Sequence, residues 1–332
     1  SFHQLASGTG IVNDDILARI DPTLLANDQY LVRVIARDTL NRTSKSDIYI
    51  NIYGDLKLGR YRDEFIDLTI PLAGIPIEIR RVYDTLNAGV KNDFGYGWTL
   101  SIADPRIRET VPQHVGIGFF GREAAPFKVG TKVYLTTPTG KRVGFTLAMD
   151  AVGVPFFGVF YRPRFVADPG VFEKLDVLTQ PDNPFGDLYV KLPDGTFPVP
   201  LAIFGGRFNP DNYNLTMSDG TIYRYHQQTG LKEVVDSSGN KRTFTANGIT
   251  SNFGVSVQFL RDAKGRITEI IDPQGNRLRY SYNADGNLVT YADQLNQLTR
   301  YEYLTQPAHY LSKIIDPRGN VALQMDYDPV NR

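Results

Sequence analysis

Four histidines, no cysteine and thirty-six acidic side chains set the chemistry open to this 332-residue chain. His3, His114, His226 and His309 form neither a His-x-His nor a His-x-x-x-His pair, so they read as single surface or strand histidines, not metal ligands. Without cysteine there is no disulfide, thiolate zinc site or cysteine nucleophile. No Gly-x-Ser-x-Gly elbow, Walker loop or dinucleotide fingerprint occurs. Gly116-Ile117-Gly118-Phe119-Phe120-Gly121 has a phosphate loop's glycines but no following lysine or helix, and reads as a strand near a tight bend. The oxygen-rich stretches 182–187 and 209–214 lack calcium-loop spacing and read as turns. Paired carboxylates for glycoside hydrolysis are defined by their separation in space, so the sequence nominates none. The expectation is a protein without enzymatic activity, cofactor or metal.

The chemistry that does recur is that of turns. Ile270-Ile271-Asp272-Pro273-Gln274-Gly275-Asn276 returns as Ile314-Ile315-Asp316-Pro317-Arg318-Gly319-Asn320, and more loosely as Val234-Val235-Asp236-Ser237-Ser238-Gly239-Asn240. Asp262 with Gly265, and Asn283 with Gly286, supply further copies of Asp/Asn-x-x-Gly. The Asp or Asn side chain accepts backbone hydrogen bonds, proline presets φ at the next position, and glycine takes the left-handed conformation that completes a bulged hairpin. Spacings of ten or eleven residues among Asp262, Asp272, Asn283 and Asp293, less a four-residue turn, predict strands of six or seven residues.

The segments between turns alternate: Leu278, Tyr280 and Tyr282 share one face, with Arg277, Arg279 and Ser281 on the other. Period two with one wet face predicts an antiparallel meander, one hairpin per repeat of roughly 20 residues, curling as its twist accumulates. Tyr280, Tyr282, Tyr301, Tyr303 and Tyr327 read as cross-strand packing, with a carbohydrate-stacking platform as the alternative. Trp98, among Gly95, Gly97 and Thr99, reads as a core anchor.

Equal numbers of basic and acidic residues leave no global field for nucleic acid or anionic lipid. The most apolar stretch, Ala151 to Tyr161, is too short to span a bilayer. The chain starts with Ser1 and reads as a piece of a larger polypeptide. The fold class is all-β in three parts. Residues 1–53 form a partial immunoglobulin-like sandwich with strands over 30–38 and 47–53, 54–215 a β-rich domain, and 216–332 the hairpin strip.

The repeats resemble the YD-repeat, or Rhs, family: Asp262-Ala263-Lys264-Gly265-Arg266-Ile267 through Ile270, then Asp272-Pro273 through Tyr280-Ser281-Tyr282-Asn283. Upstream, Gly54 to Gly59, Ile75 to Asp84 and Phe94-Gly95-Tyr96-Gly97-Trp98 resemble the lead-in to such arrays. The resemblance implies the start of a spiralling β-shell in a secreted or surface bacterial protein, with relatives among Tc toxin components and teneurins. Its partners would be the rest of the parent polypeptide and an enclosed C-terminal toxin. The alternative is an extracellular adhesin engaging glycans or a surface protein through the aromatic sheet. Four or five repeats are too few to enclose a cargo alone.

Overall fold

Frequent Gly, Pro, Asp and Asn between short β-branched and aromatic runs break the chain into hairpins, and the computed structural model is built from them. It describes all residues except 1–3, 12, 55, 102–106, 111–116, 119–120, 123–126, 138–140, 179–185, 199–206 and 328–332. Among the described residues there are strands and two 3-10 turns but no α-helix, and no helix long and apolar enough to cross a membrane.

β1 (Asp28–Arg37) and β2 (Thr43–Ile52) form an antiparallel ribbon. Of the sandwich expected there, this ribbon is the only sheet among the described residues; Arg108 and Arg142 bind Asp28 at its base. The lead-in follows with β3 (Arg62–Ile70), β4 (Ile77–Asp84), β5 (Lys91–Asn92), β6 (Gly95–Tyr96) and β7 (Trp98–Leu100); β3, β4 and β7 share one sheet. A second sheet orders β13 (Gly158–Ala167), β12 (Arg142–Val154), β11 (Lys132–Thr136) and β8 (Arg108–Glu109). Two-residue strands β9 (Ile117–Gly118) and β10 (Gly121–Arg122) pair where the tight bend was expected.

The largest sheet has thirteen antiparallel strands in strict sequence order. It runs through β14 (Lys174–Val177), β15 (Asn212–Thr216), β16 (Ile222–His226), β17 (Gly230–Val235), β18 (Lys241–Thr245), β19 (Gly248–Ser251) and β20 (Ser256–Arg261). It continues through β21 (Ile267–Ile271), β22 (Arg277–Tyr282), β23 (Leu288–Ala292), β24 (Leu298–Tyr303), β25 (Leu311–Ile315) and β26 (Val321–Gln324). The strip therefore takes in two strands upstream of residue 216.

From β20 to β25 the strands alternate between six residues, as predicted, and five, because each turn consumes five residues. The N–H of Asp236, Asp262, Asp272, Asn283 and Asp316 bonds the carbonyl four residues on, and the glycine N–H bonds back to the first residue's carbonyl. In the Asp272 turn, Oδ1 accepts from the N–H of Gln274 and of Asn276, while Asn276 Nδ2 donates to Oδ2 at 2.8 Å. The Asp236 and Asp316 turns repeat this pattern, and Arg266 replaces the asparagine beside Asp262. Gly239, Gly265, Gly275, Gly286 and Gly319 all have φ between +82° and +90°. Pro273 and Pro317 take the second turn position.

One face of the strip is wet, with Glu269 paired to Arg277 and Arg279, and Lys313 to Glu302. The other is apolar and forms a single core with both upstream sheets, from Tyr213 and Leu215 through Leu278, Tyr280 and Ile314 to Ile77, Trp98 and Phe145.

Candidate functional site

The strip has one extra residue in alternate strands: Thr268, Val289 and Ser312 are skipped by the pairing register. Such bulges turn a carbonyl out of the ladder. The carbonyl just before each is met by a tyrosine on the following strand, or just beyond its end: Tyr282 donates to Ile267, Tyr303 to Leu288 at 2.7 Å, and Tyr327 to Leu311 at 2.7 Å. The second tyrosine of the Tyr280–Tyr282 and Tyr301–Tyr303 pairs is thus a staple, as is Tyr327, each fifteen or sixteen residues after the carbonyl it binds. The first members, Tyr280 and Tyr301, point into the core and are each 4% exposed. Tyr280 and Tyr301 are thus core packing, while Tyr282, Tyr303 and Tyr327 are half-buried.

The lead-in docks on this face. β4 alternates so that Ile77, Ile79, Arg81 and Tyr83 all point inward, which places an arginine among three apolar neighbours at 1% exposure. Its partner comes from a register event: Asp67 is the residue skipped between Ile66 and Leu68 in the pairing of β3 with β4, and the bulge aims its carboxylate at Arg81. Arg81 Nε and Nη2 both bond Asp67, Nη2 also donates to Tyr301 Oη at 3.1 Å, and Tyr280 Oη donates to Asp67 Oδ2 at 2.8 Å. Rings of Tyr291, Trp98, Tyr280, Tyr301, Phe65 and Phe94 stand 4.7–5.9 Å from the guanidinium carbon. Burial alone would pull the arginine's pKa down; the adjacent Asp67 carboxylate outweighs it and holds the pKa well above its ordinary value. Burial and Asp67 also push the Tyr280 hydroxyl up.

The Phe-Gly-Tyr-Gly-Trp segment threads between these groups. Phe94 packs 4.8 Å from Tyr280, and Trp98 Nε1 donates to Tyr303 Oη at 2.8 Å, joining the staple on Leu288. Gly95 has φ +89°, and a Cβ there would lie 2.4 Å from the Gly286 carbonyl oxygen; at Gly97 a Cβ would lie 2.6 Å from the Tyr83 ring. Both glycines are required by close approach as well as by backbone geometry. Tyr96 stacks on His309 at 3.8 Å, and His309 shares a hydrogen bond with Asn287. Lead-in groups also meet the strip's bulge amides: Ile267 N–H donates to the Asp93 carbonyl and Leu311 N–H to Tyr83 Oη, both at 2.8 Å.

A second polar cluster lies where β8 meets the strip. The Glu109 carboxylate accepts from Tyr213 Oη and from Gln227 Nε2, the latter at 2.6 Å. Burial pushes its pKa up to about 7, against the Tyr213 hydrogen bond and with help from Asp211. Among the described residues no three His, Asp or Glu side chains converge as metal ligands. His226 lies 3.7 Å from Asp211, His3 and His114 fall outside the described residues, and so does most of the 182–187 loop.

The structure thus brings Phe94, Gly95, Gly97 and Trp98 together with Tyr280, Tyr301 and Tyr303, and distributes the turn residues along the strip's two rims. Arg81, Asp67 and Glu109 were not singled out from sequence; the signal available was an arginine in the inward phase of Ile77, Ile79 and Tyr83.

A sheet of sequential bulged hairpins stapled by tyrosines and backed by a docked lead-in defines a β-hairpin repeat protein. Residues 261–295, which span three of these turns, match the family model for the RHS Repeat. The chain therefore carries Rhs-type, or YD-repeat, hairpins. No curated protein matches it.

Proposed function

We propose that the chain is a structural scaffold without catalytic activity, the capped starting arc of a β-shell in a large secreted or cell-surface bacterial protein. The later repeats of that parent would enclose a C-terminal toxin. The observation that supports this reading is the continuous thirteen-stranded sheet whose apolar face is filled by the lead-in. Each hairpin adds strands only at the growing edge, so such a sheet lengthens by repetition, and a docked lead-in gives it a defined first end. Charged groups on the filled face pair with one another, as Arg81 with Asp67. The adhesin alternative rests on the aromatic sheet, where Tyr280 and Tyr301 are core residues and Tyr282, Tyr303 and Tyr327 are half-buried.

Limited proteolysis of the parent polypeptide tests the reading. Its terminal segment should survive protease in the intact protein and be digested when the same segment is produced alone. Equal digestion in both forms would remove the shell role.

A further inference from the structure

The longest hairpin, β12–β13, exposes residues for which the fold has no use. From Ala151 to Tyr161 there is no charge, and from Ala151 to Phe160 no side chain able to hydrogen-bond. The tip is a turn in which Phe157 N–H donates to the Val154 carbonyl at 3.0 Å, around Pro155 and Phe156. Phe156 has φ +67°, at a turn position that glycine or asparagine fills with less strain. Its ring is fully exposed, Phe157 is 73% exposed and Val159 58%.

We propose that this tip is a wedge that docks on a lipid bilayer, placing Phe156 and Phe157 below the headgroups. A protein partner would be recognised in part by hydrogen bonds, and this tip offers none from its side chains. The ladder from Phe145↔Ala167 to Val154↔Gly158 and the turn bond satisfy the backbone groups that face across the hairpin.

The first charges lie where headgroups would be. Asp150 pairs across with Arg162 four rungs from Val154↔Gly158, about 13 Å at the usual strand rise, just beyond the roughly 5–10 Å reached by interfacial apolar faces. Arg164 is neutralised by Asp150 and Arg162 by Asp187, so docking draws on apolar burial and needs no anionic lipid.

The test is flotation of the full chain with phosphatidylcholine vesicles at low and high salt. The chain should float with the vesicles equally at both. The double variant Phe156→Gly, Phe157→Ser should lower partitioning roughly a hundredfold, the loss expected for two phenylalanines. It should melt as the wild type does, because both rings lie outside the core and glycine relieves the positive φ. In a Phe157→Trp variant, indole emission should be quenched by brominated acyl chains. Failure of the wild type to float, binding that needs anionic lipid and vanishes in high salt, or a double variant that floats unchanged would each overturn the proposal.

Discussion

Replacing Asp67 with alanine removes both hydrogen-bonded contacts to Arg81 and the acceptor of the Tyr280 hydroxyl. Arg81 is 1% exposed and cannot turn to water. Breaking one half of a buried ion pair costs about 3–5 kcal/mol, and an orphaned buried hydroxyl adds about 1–3 kcal/mol. The surrounding rings return no more than about 2 kcal/mol of cation–π attraction, and they already do so in the wild type. The expected loss is about 4–8 kcal/mol, a large share of an ordinary domain's stability. Arg81→Met should cost about 3–5 kcal/mol by leaving the carboxylate alone. Replacing both, as Arg81→Met with Asp67→Ala, removes both charges of the pair and should lose several kcal/mol less than the sum of the single variants. Urea unfolding followed by far-UV circular dichroism measures the cycle, with an expected coupling of several kcal/mol. Single variants within about 1 kcal/mol of wild type, or a double variant whose loss equals the sum, would refute the reasoning.

Gly95 and Gly275 share a φ near +89° but not their surroundings: a Cβ at Gly275 meets nothing within 4 Å. Gly275→Ala should therefore cost only the backbone strain of about 1–2 kcal/mol, and Gly95→Ala about 1–3 kcal/mol more through collision with Gly286, read from urea midpoints. Tyr303→Phe leaves Trp98 Nε1 and the Leu288 carbonyl without their shared hydroxyl and should cost about 2–4 kcal/mol in the same assay. Glu109 binds its proton more tightly in the folded chain, with a pKa of about 7 against an ordinary 4.5. The stability this gives is complete below pH 4.5 and is lost as pH rises through 7, by at most about 3 kcal/mol. Melting temperatures at pH 5.5 and 8 should show that loss as an order-of-magnitude effect in the wild type, and Glu109→Gln should flatten it. Asp236 and Asp316 shift the opposite way, held down by the Asn240 and Asn320 side chains, so their turns weaken only in acid below the ordinary carboxylate pKa of 3.8.

The turns were legible because their chemistry is local: Asp272, Pro273 and Gly275 specify a conformation whatever packs above them. The alternation of Leu278, Tyr280 and Tyr282 likewise named the inward face. Strand length was overestimated for the five-residue strands because the ladder closes on the residue after the glycine, Asn276 or Arg266, whose side chain belongs to the turn. The Arg81–Asp67 pair was hidden because a bulge is a change of register, which the periodicity of Ile66-Asp67-Leu68 does not display. Glu109 was hidden for another reason. Tyr213 and Gln227 are more than a hundred positions away, and only the packing of β8 on the strip joins them.

Trp98 is the chain's single tryptophan, and it sits where the lead-in meets the strip, bonded to Tyr303 and packed 5.1 Å from Tyr301. Its emission therefore reports whether the lead-in is docked, while far-UV circular dichroism reports the strands. Following both in one urea titration tests whether lead-in and strip form one cooperative unit. Coincident transitions are the predicted result; a red shift of Trp98 emission at a urea concentration where the strand signal is intact would contradict it.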